Sequence, residues 1–344
     1  KSDKTIEADG LLTPIAHLRP SMYQVIATGS LQYLKIYSDD LIDFSPQSGV
    51  NNESIDVVSI ELGDDANKIS REIFQDIMAG KLNLPSLPDI AQKIQSEFTS
   101  PSVDVVSISK IIQADPAITA KLIMIANSVL YKGQSDIETL PQAIVRLGLQ
   151  TVQKQVMSYA VNELFKSVNK SMQTNMQILW KHSRQVASLS RILARDLGMF
   201  DPEQAQLAGL MHDLGEIAIL QYAQNYEELA KDSDRLNLVI KSLRPQVTGL
   251  LLSNWNFPDE YQTVGEESED WFRNPQDQAD LCDLVLIAQY HAFIGSSHQS
   301  RLPAISLLPA FAKLGLSALK PAQIITFMQE SRSELEEISR LLTS

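Results

Sequence analysis

From Asn83 almost to the end of the chain, apolar residues recur every three or four positions, the spacing of a single helix face. LPDIAQKIQSEF sets Ile90, Ile94 and Phe98 on one stripe, and VDVVSISKIIQ repeats the idea with Val105, Ile108, Ile111 and Ile112. ADPAITAKLIMIANSVLY opens with Asp115 as an N-cap and Pro116 in the first helical position. TLPQAIVRLGLQTVQKQVMSYAVNELF predicts two helices broken near Leu147-Gly148, and MQILWKHSRQVASLSRILARDLG predicts one long helix ended by Gly198. FDPEQAQLAGLMHDLGEIAIL predicts a further helix, with Asp201 as cap, Pro202 next and Gln204 in capping-box position. Helical periodicity returns from Leu281 through Leu316 to Leu342. Short loops between such helices mean an all-α bundle or stack, and the lack of a fixed-period repeat argues against a solenoid.

Residues 1–66 break the pattern. QVIATGSLQYLKIYS reads as a hairpin about a Gly-Ser turn, and IDVVSIEL reads as another strand after the polar loop SPQSGVNNES. DDANKISREIFQDIMAG then starts the helical part. The organisation predicted is a β-containing segment at 1–66, an all-α domain at 67–280 and a helical extension at 281–344.

Composition narrows the function classes. The 344 residues carry 29 Lys plus Arg against 42 Asp plus Glu, a formal charge of -13, which weighs against broad nucleic-acid binding. The single cysteine, Cys282, rules out an intrachain disulfide and a thiolate zinc cluster, and fits a cytoplasmic location. No run approaches the roughly 20 apolar residues of a membrane helix, so no membrane partner is expected. The opening KSDKTIEADG lacks an apolar signal core, and a start on Lys reads as part of a longer chain. Between Asp259 and Asp283 stand nine acids and one base, Arg273, which reads as a solvated loop or a partner surface.

Candidate chemistry concentrates in LMHDLGEIAIL, where His212 and Asp213 are adjacent. On one helix they would point about 100° apart, at about 3.6 residues per turn. Both serve one metal only if other helices add ligands, since a hydrolytic site needs three or more plus an open position. Of the five histidines (His17, His182, His212, His291 and His298), His182 lies on the preceding long helix, which antiparallel pairing brings beside the dyad. Asp280 and Asp283 are among many candidates for a fourth, carboxylate ligand. The structural alternative is a buried His212 donating to a carbonyl, with Asp213 bracing the turn at Gly215. Arg184, Arg191 and Arg195 form a stripe that suits either an anion or solvent. Trp180 and Trp255 read as packed aromatics, and Asn127, mid-helix, as bonded to nearby backbone.

LPSLPDIAQKI, IIQADPAITAKLIMIANSVLY, LPQAIVRLGLQTVQKQVM, LWKHSRQVASLSRILARDLG and AQLAGLMHDLGEIAIL, followed by WNFP at 255–258, occur in the order and spacing of the HDOD domain. From about Leu82 to Phe257 the chain resembles that bacterial signalling module, which is related to HD-type metal-dependent phosphohydrolases. The resemblance implies an HD-related all-α fold and puts the superfamily's first metal-binding His on His182 and its His-Asp pair on His212 and Asp213. It puts the late Asp on Gln289 and a frequent further His on Arg244, while a His pair expected after WNFP meets GEESED. An amide is a poor metal ligand and Arg244 would repel an ion. IATGSLQYLKIYSDDLIDF also resembles the end of aminoacyl-tRNA-deacylase-like domains. The expectation is therefore a non-catalytic signalling module working through protein partners, with a vestigial metal site at His182, His212 and Asp213. Arg184, Arg244 and Gln289 are its candidate ligand-binding residues, for instance toward a nucleotide. No cofactor is expected unless the site holds a divalent metal. The alternative is a metal-dependent phosphohydrolase acting on a nucleotide or cyclic dinucleotide.

Overall fold

The computed structural model describes residues 85–166, 173–223, 229, 232–296, 299, 302–316 and 332–343. The hairpin and strand expected within 1–66, together with His17 and His298, lie outside them. In chain order the helices are α1 (Asp89–Phe98), α2 (Val105–Ile112), α3 (Pro116–Ala126), α4 (Leu140–Leu147) and α5 (Leu149–Lys166). There follow α6 (Gln173–Leu197), α7 (Pro202–Met211), α8 (Gly215–Ala223), α9 (Ser233–Asn254) and α10 (Asp259–Glu267). The series closes with α11 (Leu281–Phe293), α12 (Pro309–Lys313) and α13 (Arg332–Thr343). The described residues form no strand, and none of their helices is long and apolar enough to cross a membrane.

Local chemistry sets these boundaries. Asp115 caps α3 by accepting from the backbone N–H of Ala117 (2.9 Å) and Ile118 (3.1 Å). Gly148, at φ +79°, breaks the chain between α4 and α5, and Gly198, at φ +65°, stops α6. Asp201 caps α7 through Gln204 N–H (2.9 Å), but the Gln204 side chain donates to Glu260, so only half of the expected capping box forms. Asn127 is not mid-helix: it is the C-cap of α3. Its amide donates to the Ile137 carbonyl (2.7 Å) and accepts from the Ile137 N–H (2.8 Å), closing the loop that leads to α4.

Two apolar cores result. The smaller gathers Ile94, Ile108, Ile112, Ile118, Leu122 and Ile144 from α1 to α4. The larger is built on α6 to α11, with Ile192, Leu207, Leu210, Ile219, Leu251 and Leu286 at its centre. Helix α5 joins them, sending Val152 and Val156 into the first core and Ala160 and Val161 into the second. Trp255 is buried, its indole N–H donating to the Pro85 carbonyl at 3.1 Å, and half-buried Trp180 packs on Phe165. Cys282 is buried within α11, where loss of hydration pushes its thiol up.

The acidic stretch 259–283 is not a solvated loop. It forms α10 and then folds back so that its one base, Arg273, is buried. The guanidinium donates to Glu267 (2.9 Å), Asp280 (2.8 Å) and Asp283 (2.6 Å), and Lys313 donates to fully buried Asp283 at 3.0 Å. Burial would raise the Asp280 carboxyl, but the hydrogen bonds and charge of Arg273 hold it below its ordinary value. Such a network costs little while every charge is met and much when one partner is removed. Arg273→Met should lower stability by about 3 kcal/mol at pH 7, measured by urea unfolding. Because Asp280 is lowered in the fold, its pairing stabilises above the unfolded carboxylate value near ~3.9 and is lost as pH falls through the folded one. The gap between variant and parent should therefore narrow only below about pH 4.

Candidate functional site

The site begins with a close crossing of two helices. At Gly209 an added Cβ would lie 2.7 Å from Ser190 Oγ and 3.0 Å from Ala187 Cα, so only glycine lets α7 approach α6 this nearly. The antiparallel pairing expected from the sequence follows, and it brings His182 on α6 to His212 at the end of α7. His212 and Asp213 do not share a helix, contrary to the expectation of side chains splayed along one. Helix α7 ends at Met211, residues 212–214 form a turn, and α8 starts at Gly215. The turn folds the pair together, so that His212 Nε2 lies 3.1 Å from Asp213 Oδ2.

His212 Nδ1 sits 2.8 Å from the Gly209 carbonyl, which can only accept, so Nδ1 carries a proton and Nε2 faces the site. Nε2 is 3.3 Å from His182 Nε2, which in turn is 3.6 Å from Asp213 Oδ2. These three donor atoms lie within 4.8 Å of one another. His212 and Asp213 are buried and His182 is partly exposed, stacked on Phe293 of α11 at 5.0 Å. Gln289, one turn before Phe293 on the same helix face, is fully buried, and neither amide atom has a hydrogen-bond partner among the described residues.

A second close approach brings in a cation. A Cβ on Gly215 would meet the Arg244 carbonyl and Thr248 N at 2.6 Å, and Thr248 Oγ1 accepts from Gly215 N–H at 2.9 Å. Helix α8 is thus held against α9 beside Arg244. Arg244 Nε lies 3.3 Å from Asp213 Oδ1, Nη1 donates to Glu216 (3.0 Å) and Nη2 donates to Glu269. Burial would raise the Asp213 carboxyl, but Arg244, then His212, hold it well below the usual carboxylate range. Burial pushes Glu216 the other way, against Arg244 and with the help of the Asp213 charge.

The other residues singled out in the sequence are elsewhere. Arg184 donates to the Ser339 carbonyl of α13 (3.4 Å) and lies over Trp180. Arg191 is buried against Glu203 (2.8 Å), and Arg195 pairs with Asp196, so the arginine stripe is not one surface. Asp280 and Asp283 are engaged by Arg273 and Lys313. His291 is buried with Nδ1 at the Ile287 carbonyl (2.9 Å), and burial lowers its affinity for a proton. Glu216 and Glu269 escaped sequence reasoning, because nothing in their spacing announces a shared arginine. The donors fit part of a metal site, two imidazole nitrogens and a carboxylate oxygen, and among the described residues Asp213 Oδ2 accepts no hydrogen bond. Arg244 takes one flank of Asp213, and among the described residues no fourth His, Asp, Glu or Cys joins the cluster.

Comparison with known proteins bears on the fold that carries these residues. A crystal structure from Shewanella amazonensis SB2B, named as a candidate metal-dependent phosphohydrolase, has a TM-score of 0.67 at 22% identity, covering 81% of this chain and 99% of that one. An HDOD domain protein of unknown function from Geobacter sulfurreducens gives 0.57 at 22% identity, over 81% and 98%. A Marinobacter aquaeolei VT8 protein, named as a candidate signal transduction protein, gives 0.52 at 18% identity, over 81% and 65%. An uncharacterized Treponema pallidum (strain Nichols) protein is 22% identical over 191 residues, 52% of this chain, and the chain spans only 36% of its length. At these identities the solved structures establish the fold alone. The HDOD domain model itself matches residues 84–270, more than half of the chain, and the chain belongs to that family.

Proposed function

We propose that this chain is a non-catalytic regulatory module acting on signalling proteins in the cytoplasm, with a metal site that has become an internal ion cluster. The observation that carries this reading is the Arg244 guanidinium against Asp213, Glu216 and Glu269. A fixed cation already answers the carboxylate that a divalent ion would need. Two unit charges 4 Å apart repel by about 4 kcal/mol at an effective dielectric of 20, and a divalent ion doubles that. Gln289, buried on the face of α11 that carries Phe293, offers an amide rather than a carboxylate. What remains is a buried polar cluster, whose state a ligand can bias only by binding one conformation better than another.

A second reading has one observation in its favour, the convergence of His182, His212 and Asp213. Under it the chain is a metal-dependent phosphohydrolase of a nucleotide or cyclic dinucleotide. These three residues would hold a divalent ion, which when bound supplies an acidified water.

Metal analysis separates the two. Purified without chelator, loaded with Mn²⁺ or Zn²⁺ and desalted, the chain should retain far less than one ion, and His212→Ala should not change the value. Near-stoichiometric metal in the parent that is lost in His212→Ala would overturn the ion-cluster reading of the site and call for a screen of phosphodiester and phosphomonoester substrates. Removing the internal cation should be costly in either case: Arg244→Ala leaves buried Asp213 uncompensated, with an expected loss of about 3 kcal/mol in urea unfolding at pH 7.

A further inference from the structure

Helix α13 is amphipathic and touches both cores. Ile338 and Leu342 enter the larger one, and Leu341 enters the smaller. It packs on α5 and on α6, the helix of His182. Arg184, two residues beyond His182, donates to its Ser339 carbonyl. Leu335 and Ser339 of α13 line a cleft of about 420 Å³ together with Lys181 and Gln185 of α6.

Its other contact leads to His212. Glu337 Oε1 accepts from the backbone N–H of Val129 at 3.1 Å, in the turn after α3. Two residues on, the Tyr131 hydroxyl donates to Glu203 Oε1 at 2.5 Å, the same oxygen that receives Arg191 at 2.8 Å. Glu203 stands in the first turn of α7, and His212 caps the far end of that helix. Helix α13 thus touches one histidine-bearing helix directly and the other through the Val129–Tyr131 turn.

We propose that α13 is a displaceable clasp whose docking sets the approach of His182 to His212, so that a partner acting on α13 alters the pair without entering the site. Among the described residues, only three side chains of this 12-residue helix are buried in the cores. The burial of each offsets the ordering of roughly one to three residues, so together they do not exceed what ordering the helix costs, and its docking has little surplus to lose. None of these contacts is made by His182, His212 or Asp213 themselves, so the clasp stands or falls separately from the regulatory reading.

Hydrogen exchange on the full chain tests it, with two variants. Leu341→Asp should speed exchange of α13 amides by roughly tenfold or more, and with them residues 127–131 and 203–212, while the middle of α9 keeps its protection. Glu337→Ala should speed 127–131 and 203–212 with α13 still protected. It should also shift the imidazole resonances of His212 and His182 but not of His291. Acceleration confined to α13 in the first variant would overturn the clasp. Should Leu341→Asp fail to fold, unchanged His212 and His182 signals in Glu337→Ala would overturn it alone.

Discussion

Everything at the candidate site depends on how closely α6 and α7 cross. That closeness comes from a missing atom: Gly209 has no side chain, and its carbonyl is then free to orient His212. The same device recurs at Gly215, where α8 meets α9 and the backbone itself sits against Thr248. Two contacts of this kind fix four helices around one point. Protein interiors repack in discrete steps rather than by continuous deformation, so such a point is rigid while its helices hold.

The electrostatics of that point are self-contained. Asp213, Glu216 and Glu269 surround a single guanidinium; burial works to raise both Asp213 and Glu216, but the neighbouring charges overcome it at Asp213 and not at Glu216. Asp213, which faces both Arg244 and His212, is held ionised. Glu216, with Asp213 for a neighbour, takes a proton more readily than a free glutamate.

Helix positions were legible because capping residues and period agree: Asp115, Pro116, Gly148 and Gly198 each stand where the helices start or stop. The HDOD family was legible for the same reason, as several motifs in fixed order, and His182 was brought beside the dyad as antiparallel pairing required. The turn at 212–214 was not legible, since LMHDLGEIAIL is apolar enough to pass for one continuous helix. Nor was the fate of Arg273, because one base among nine acids looks solvated until the chain folds back on it. Glu269 reaches Arg244 across 25 residues, a contact that only tertiary structure creates.

The burial of Cys282 has a practical consequence. Its thiol is enclosed in α11 and resists ionisation, and the thiolate is the reactive species, so the folded chain behaves toward thiol reagents as though it had no cysteine. A cysteine introduced on the surface would then carry a fluorophore or spin label alone. Distances between any two helices become measurable without first rebuilding the core, and slow labelling of Cys282 itself reports when α11 comes apart.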